Sequence, residues 1–113
     1  MEVKLSKRYA KEVENLTSLR RKYGKAGDEI AGCLNVLRCA DTLQELLQLP
    51  PSVNYRCHEL HQNLRDRFSM DLIHPYRLLF RPVEPIPRRS DGGVDYLQVR
   101  GVFIEALYVN THE

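Results

Sequence analysis

The sequence lacks the features that place a protein in a membrane or mark it for export. No apolar run approaches the roughly 18 residues of a membrane span. The chain opens on Met1-Glu2-Val3-Lys4, a charged segment rather than a signal peptide. We therefore expect a cytoplasmic protein with no membrane partner. Internal repeats and low-complexity tracts are also missing, and 113 residues suit a single domain spanning 1–113.

Cysteine is scarce and shows no pairing pattern. Cys33, Cys39 and Cys57 are an odd number with no Cys-x-x-Cys pair, which argues against a disulfide framework and against a zinc site. We interpret them as small buried hydrophobic residues. We expect neither a metal nor another cofactor.

The sequence also has no large excess of positive over negative side chains. The chain carries 17 Lys and Arg against 15 Asp and Glu, a net charge of +2. A general nucleic-acid binder draws its affinity largely from surplus cations, so this balance argues against that class. All eight cations in residues 51–113 are Arg, however, and none is Lys. The planar guanidinium group suits phosphate recognition, so local phosphate-binding patches are compatible with the composition.

The first half of the chain has helical spacing of its apolar residues. One helix is predicted after the N-cap Ser6 and ends at Gly24. A second helix is predicted from about Ala26 to Cys39. A short helical turn follows, with Asp41 and Gln44 as its capping box, and Pro50-Pro51 must end it.

Beyond Pro51 the apolar spacing changes to that of strands. Residues 68–72 and 76–80 alternate and predict a hairpin joined through His74-Pro75. A last strand is predicted over 102–109 and a short one over 3–5, while 82–93 is a proline-containing loop and 94–99 is either a short strand or irregular. The predicted fold is α+β: two N-terminal helices packed on one face of a small, mostly antiparallel sheet of three to five strands. The other face is left free for function.

Four motifs, taken in order, resemble the HigB-like branch of the RelE/ParE superfamily of plasmid maintenance toxins. Members typically read Arg-x-His-x-Leu, then an aromatic-Arg-Leu-x-Phe strand, then a closing Asp-Tyr-His. The resemblance covers roughly residues 26–112. The motifs here are Arg56-Cys57-His58-Glu59-Leu60, Tyr76-Arg77-Leu78-Leu79-Phe80, Asp91-Gly92-Gly93-Val94-Asp95-Tyr96 and Ile104-Glu105-Ala106-Leu107-Tyr108-Val109-Asn110-Thr111-His112.

This resemblance implies a RelE-like fold and the toxin of a toxin-antitoxin pair. The toxin would be an mRNA interferase, a ribosome-dependent endoribonuclease that needs no metal. It implies proton transfer or phosphate contact for His58 and His112, and phosphate contact for Arg77. These side chains suit the chemistry, since imidazole can move protons near neutral pH and arginine stabilises the added negative charge. The expected RNA-binding or phosphate-binding residues are Arg56, His61, Arg65, Arg67 and Arg81.

The same resemblance implies particular partners. The first is a cognate antitoxin, commonly a HigA-like helix-turn-helix protein, that masks the active surface. The others are the ribosome and mRNA. DNA would be contacted only indirectly, through the antitoxin.

Two departures from the family pattern leave other functions open. His61, Gln62 and Asn63 stand where the family commonly has lysine, glycine and further basic residues. Asn110 and Thr111 stand where it has an acid and a tyrosine. One alternative is a catalytically impaired member that acts as antitoxin-binding partner and co-repressor. Another is a ParE-type toxin that binds a topoisomerase.

Overall fold

The computed structural model describes residues 1–61 and 64–110, which form four α-helices and one five-stranded sheet. The sheet order is β1-β5-β4-β3-β2, with β1 parallel to β5 and all other neighbours antiparallel. The α+β class is confirmed, and β1 makes the sheet mixed. The elements are β1 (Glu2–Lys4), α1 (Lys7–Glu12), α2 (Leu16–Tyr23), α3 (Ala26–Cys39), α4 (Leu43–Gln48), β2 (His58–Glu59), β3 (Phe68–Asp71), β4 (Tyr76–Pro82) and β5 (Gly101–Asn110). None of these helices has the length and apolar character that crossing a membrane requires.

The prediction of a single first helix is wrong, because that segment forms α1 and α2. Ser6 caps α1 as predicted, accepting a hydrogen bond from the Tyr9 amide. The helix ends at Val13, and the Asn15 side chain then caps α2 by accepting from the Ser18 amide at 2.8 Å. Asparagine competes for backbone donors in this way, so it favours a new N-terminus over a continuous helix.

The predicted bounds of α3 are confirmed, whereas the start of α4 lies one residue later than expected. Thr42, not Asp41, is the N-cap, and its hydroxyl accepts from the Glu45 amide at 3.2 Å. The Glu45 carboxylate in turn accepts from the Asp41 amide at 3.1 Å. The reciprocal cap is therefore made by Thr42 and Glu45 rather than by Asp41 and Gln44.

A single apolar cluster joins α3 and α4 to one face of the sheet, which we call the core face. Alternation along the predicted hairpin, which is confirmed, directs every second side chain of β3 and β4 to this face. Phe68 and Phe80 are cross-strand partners whose rings stack at 5.4 Å. The buried members of the cluster include Ile30, Leu34, Leu37, Leu43, Leu46, Phe68, Met70, Leu78, Phe80 and Ile104.

The opposite, outer face was expected to be free, yet its centre is buried. Ser69 and Leu79 are cross-strand partners on this face, with exposed fractions of 0% and 8%. Leu60, after the end of β2, is 1% exposed, and like Leu79 it is not a member of the main apolar cluster. The outer face therefore has a buried centre, with charged residues of β3, β4 and β5 on either side of it.

The loop after β4 is tied to the rest of the fold. Both Arg88 amino groups donate to the Asp66 carboxylate, at 2.7 and 2.8 Å, and these bonds lower the pKa of Asp66. Arg88 also forms an isolated β-bridge with Val94. Residues 96–98 form a 3-10 helix, so the segment 94–99 is the irregular alternative rather than a strand.

Gly27 permits the close approach of α2 and α3, which gives a first testable prediction. A Cβ atom at Gly27 would lie 2.8 Å from the backbone carbonyl of Leu19 and 2.9 Å from the Arg20 nitrogen. These are backbone atoms and cannot rotate away. We expect Gly27→Ala to destabilise the protein by about 1–3 kcal/mol in urea unfolding, despite a gain in helix propensity of up to about 1 kcal/mol.

Thr17→Ala, at an exposed position of α2, is the matched control and should not destabilise the protein. Equal or greater stability of Gly27→Ala would contradict the packing described for the two helices.

Candidate functional site

Two guanidinium groups converge on one carboxylate at the outer face. Asp71 of β3 and Arg77 of β4 are cross-strand partners, and Arg77 Nε lies 3.7 Å from Asp71 Oδ1. Arg56 approaches from the segment before β2, with its Nε 3.5 Å from Asp71 Oδ2. We call these three residues the Asp71 cluster. It holds two positive charges and one negative charge.

The contacts within the Asp71 cluster are ion pairs rather than close hydrogen bonds. Nitrogen-to-oxygen distances in hydrogen bonds are typically about 2.7–3.2 Å, shorter than the 3.5 and 3.7 Å found here. Among the described residues, moreover, the buried Nη1 atom of Arg77 finds no hydrogen-bond acceptor. Buried polar atoms in folded proteins are nearly always paired. Arg77 therefore carries a donor that no acceptor in the described part of the chain takes up.

A cavity of about 230 Å³ opens beside this cluster. Its volume corresponds to roughly seven or eight water molecules at about 30 Å³ each. That is less than the ~300–1,000 Å³ of sites that enclose a whole small-molecule ligand. The cavity therefore suits one anionic group of a larger ligand. Its lining residues are Arg56, Asp71, Leu72, His74, Pro75, Tyr76 and Arg77.

A left-handed backbone turn brings Arg56 to the cluster. Tyr55 and Arg56 have φ angles of 58° and 52°, a conformation that residues other than glycine rarely adopt. The Tyr55 carbonyl accepts a hydrogen bond from the Asp71 amide at 2.7 Å, which ties the turn to β3. Arg56 lies outside β2, which comprises only His58 and Glu59.

Asn54 anchors this turn to α4. Its side chain is buried, and its amide nitrogen donates to the carbonyls of Leu46 at 2.9 Å and Leu49 at 3.3 Å. Its side-chain oxygen accepts from the Cys57 amide at 3.4 Å. The Asn54 side chain thus makes hydrogen bonds both to the end of α4 and to the backbone just before β2.

His58 contacts the backbone of Arg56, a member of the Asp71 cluster. Its Nδ1 atom is 2.9 Å from the Arg56 carbonyl oxygen. A carbonyl can only accept, so Nδ1 carries the proton in this contact, and Nε2 is the basic atom of the neutral ring. The exposed ring lines a second cavity of about 400 Å³, and Arg56 lines both cavities.

Neither the adjacent Cys57 thiol nor a metal-holding group of described residues adds catalytic chemistry at His58. Burial raises the pKa of Cys57 to about 12, so its thiol stays protonated at neutral pH and is a poor nucleophile. Across residues 1–61 and 64–110, no three His, Cys, Asp or Glu side chains are grouped so that they could hold a metal ion.

A second arginine pair lies at the opposite end of the outer face. Arg67 Nε is 2.7 Å from Glu105 Oε1, and Arg81 Nε is 3.4 Å from Glu105 Oε2. We call these three residues the Glu105 cluster. The Arg81 guanidinium also lies 4.8 Å from the centre of the Phe103 ring. Arg77 and Arg81 are four residues apart on β4, or about 13 Å along the strand, so the predicted phosphate-binding residues form two groups rather than one.

The remaining predicted site residues lie at the edges of this surface. His61 and Arg65 are exposed in the connection between β2 and β3. His112 lies outside the described residues. The last described residue, Asn110, pairs with Tyr76 on β4, and Val109 pairs with Arg77.

Sequence reasoning missed Asp71 and His74, both of which line the cavity. A signal for Asp71 was available, because in the predicted hairpin it alternates with Met70 and Leu72 and so points to the outer face. Aligning the two strands about His74-Pro75 places Asp71 opposite Arg77. His74 gave no such signal, since a residue before proline in a hairpin connection resembles any other turn residue.

Comparisons with known proteins add no relative to this description. A scan against protein-family models found no match, and searches of curated proteins and of solved structures also found no similar chain. The functional argument therefore depends on the geometry of the outer face.

The anchoring role of Asn54 gives a second prediction. Asn54→Ala removes the donors to the Leu46 and Leu49 carbonyl groups and the acceptor of the Cys57 amide, so we expect a loss of about 1–3 kcal/mol in unfolding free energy. Asn35→Ala, at an exposed position of α3, is the control and should change stability by less than about 0.5 kcal/mol. An Asn54→Ala protein as stable as the control would show that the side chain does not anchor the turn.

Proposed function

We propose that this chain is the toxin of a toxin-antitoxin pair, of the HigB-like branch of the RelE/ParE superfamily. We propose that it acts as a ribosome-dependent, metal-independent mRNA endoribonuclease. One observation carries the proposal: Arg56 lines both cavities, its side chain pairs with Asp71 beside Arg77, and its carbonyl oxygen contacts His58 Nδ1. An imidazole with a basic Nε2 atom and two guanidinium groups suit the removal of a proton and the stabilisation of charge in RNA cleavage.

The chemistry is an internal transfer within the RNA. The 2′-oxygen attacks the adjacent phosphorus, the bond from phosphorus to the 5′-oxygen breaks, and the products are a 2′,3′-cyclic phosphate and a 5′-hydroxyl. His58 Nε2 accepts the proton of the 2′-hydroxyl. Arg77 and Arg56 stabilise the negative charge that develops on the phosphate oxygens. His112 is the proposed donor of a proton to the leaving 5′-oxygen.

The architecture is compatible with a RelE-like arrangement. In this proposal the N-terminal helices cover the core face, and the antitoxin and the RNA use the outer face. Burial of Ile30, Leu34 and Leu37 in the cluster that contains Phe68 and Phe80 supports this division. A HigA-like antitoxin would mask the outer face in a cytoplasmic complex, and DNA would be reached through that antitoxin.

The Glu105 cluster and the connection before β3 extend the proposed RNA contacts. Arg67 and Arg81 lie on the same face as Arg77, and the exposed His61 and Arg65 flank them. These residues would contact the RNA backbone away from the cleaved bond. Their loss should weaken binding more than it slows cleavage of bound RNA.

The proposal is tested by incubating the purified protein with translating ribosomes and analysing the mRNA. We expect fragments that end in a cyclic phosphate. His58→Ala should lower the cleavage rate by roughly 10²–10⁴-fold, since it removes the general base. Arg77→Ala should lower it by roughly 10²–10³-fold, since it removes a donor to the developing charge.

Arg100→Ala is the matched control, because Arg100 is exposed and lines neither cavity. It should cleave at the wild-type rate. A wild-type protein that never cleaves, or a His58→Ala variant that cleaves normally, would refute the nuclease assignment.

Asn110 favours a second candidate function, that of an inactive relative that binds an antitoxin and assists repression. Asn110, where the family closes with an acid, pairs with Tyr76 at the edge of the cavity. Asparagine cannot transfer a proton as a carboxylic acid can. Absence of cleavage together with tight binding of the protein encoded next to this chain would favour the second candidate.

A further inference from the structure

We propose that Asp71 makes the site selective for a phosphodiester, which carries one negative charge, over a terminal phosphate, which carries nearly two. This inference rests on the proposed function, since it assumes that the Asp71 cluster binds the phosphate of a nucleic acid strand. Asp71 then acts as a fixed negative neighbour of the bound group. The site would accept internal linkages of a strand and discriminate against phosphorylated ends.

The geometry keeps Asp71 at the site when an anion arrives. Its backbone amide donates to the Tyr55 carbonyl at 2.7 Å, and the residue is held in register opposite Arg77. The carboxylate has no close hydrogen bond to either guanidinium group, since the distances are 3.5 and 3.7 Å. It therefore does not occupy the guanidinium donors with close hydrogen bonds.

The charges of the Asp71 cluster match a monoanion. Two guanidinium groups and one carboxylate sum to a single positive charge. The attraction between this site and an anion grows in proportion to the anion charge, whereas the cost of removing the anion from water grows with the square of that charge. A phosphate monoester carries about −1.5 to −2 near neutral pH. It therefore meets a larger desolvation cost in a site with too little positive charge to offset it.

Asp71→Asn tests the proposal, because it removes the charge while keeping the shape and the backbone. The probes are dimethyl phosphate, a monoanion, and methyl phosphate at pH 8, a dianion, titrated at low salt. Binding is followed by nuclear magnetic resonance of the arginine Nε–H groups. For a charge about 6 Å away and an effective dielectric constant of about 40–80, the variant should bind dimethyl phosphate roughly threefold to tenfold more tightly. The affinity of the variant for methyl phosphate should rise by the square of that factor, roughly tenfold to a hundredfold.

Asp41→Asn is the control, because it removes the same charge from an exposed residue that lines neither cavity. It should leave both affinities unchanged. If Asp71 only positions the arginines, Asp71→Asn will bind both probes more weakly or equally, and the proposal is overturned. Equal increases in affinity for dimethyl phosphate and methyl phosphate would also overturn the proposal.

The wild-type protein gives a measurement that does not depend on the folding of the variant. It should bind dimethyl phosphate at least as tightly as methyl phosphate, and tighter binding of methyl phosphate would overturn the proposal. These titrations use no ribosome, so their outcome is separate from that of the cleavage assay. If the protein binds the probes selectively but does not cleave mRNA, the nuclease assignment is refuted and the inferred selectivity is not.

Discussion

The alternation of side chains along β4 is the constraint on which the rest of the structure depends. Leu78 and Phe80 are fully buried in the core, so Arg77 and Arg81 must face the other way. A register slip of one residue would bury two guanidinium groups and expose two large apolar side chains, a change whose cost is comparable to the whole net stability of a small domain. The packing of the core therefore fixes the position of the arginines. Because β4 lies between β3 and β5, these arginines are also central in the sheet.

The partners of these arginines show how a chain with little net charge can carry concentrated positive groups. Each arginine pair on the outer face holds one carboxylate, Asp71 at one end and Glu105 at the other. Glu105 reaches its position through an irregularity in β5, since Leu79 pairs with Ala106 while Phe80 pairs with Ile104, which leaves Glu105 as an extra residue. A carboxylate placed within each arginine pair weakens the long-range electrostatic field of the protein. It does not remove the short-range interaction of the arginines with a bound anion, which salt screens less. A near-neutral composition therefore argues against electrostatic steering and not against a local phosphate site.

Features set by local sequence could be predicted, and features set by pairing across the sheet could not. The hairpin of β3 and β4 and the bounds of α3 follow from apolar spacing. The break between α1 and α2 was missed because the apolar spacing continues through Val13, while the cap of Asn15 competes with it. Arg56 and His58 have the two-residue spacing of a strand, but the left-handed turn at Tyr55 and Arg56 keeps Arg56 out of the sheet. The meeting of Arg56 and Arg77 at one carboxylate depends on chain segments about twenty residues apart, so only the folded register brings it about.

The left-handed turn at Tyr55 and Arg56 carries an energetic cost that the surrounding contacts must offset. Two residues with positive φ cost of the order of 1–3 kcal/mol each. Glycine would adopt the same backbone without that cost, but it would leave Asp71 with only one guanidinium partner. The turn is maintained by the buried amide of Asn54 and by the hydrogen bond from Asp71 to the Tyr55 carbonyl. The same residue, Asp71, thus fixes the strained backbone through its amide and faces the arginine through its carboxylate. Strained backbone recurs at binding sites in proteins, so the position of this turn beside the Asp71 cluster agrees with the anion site proposed above.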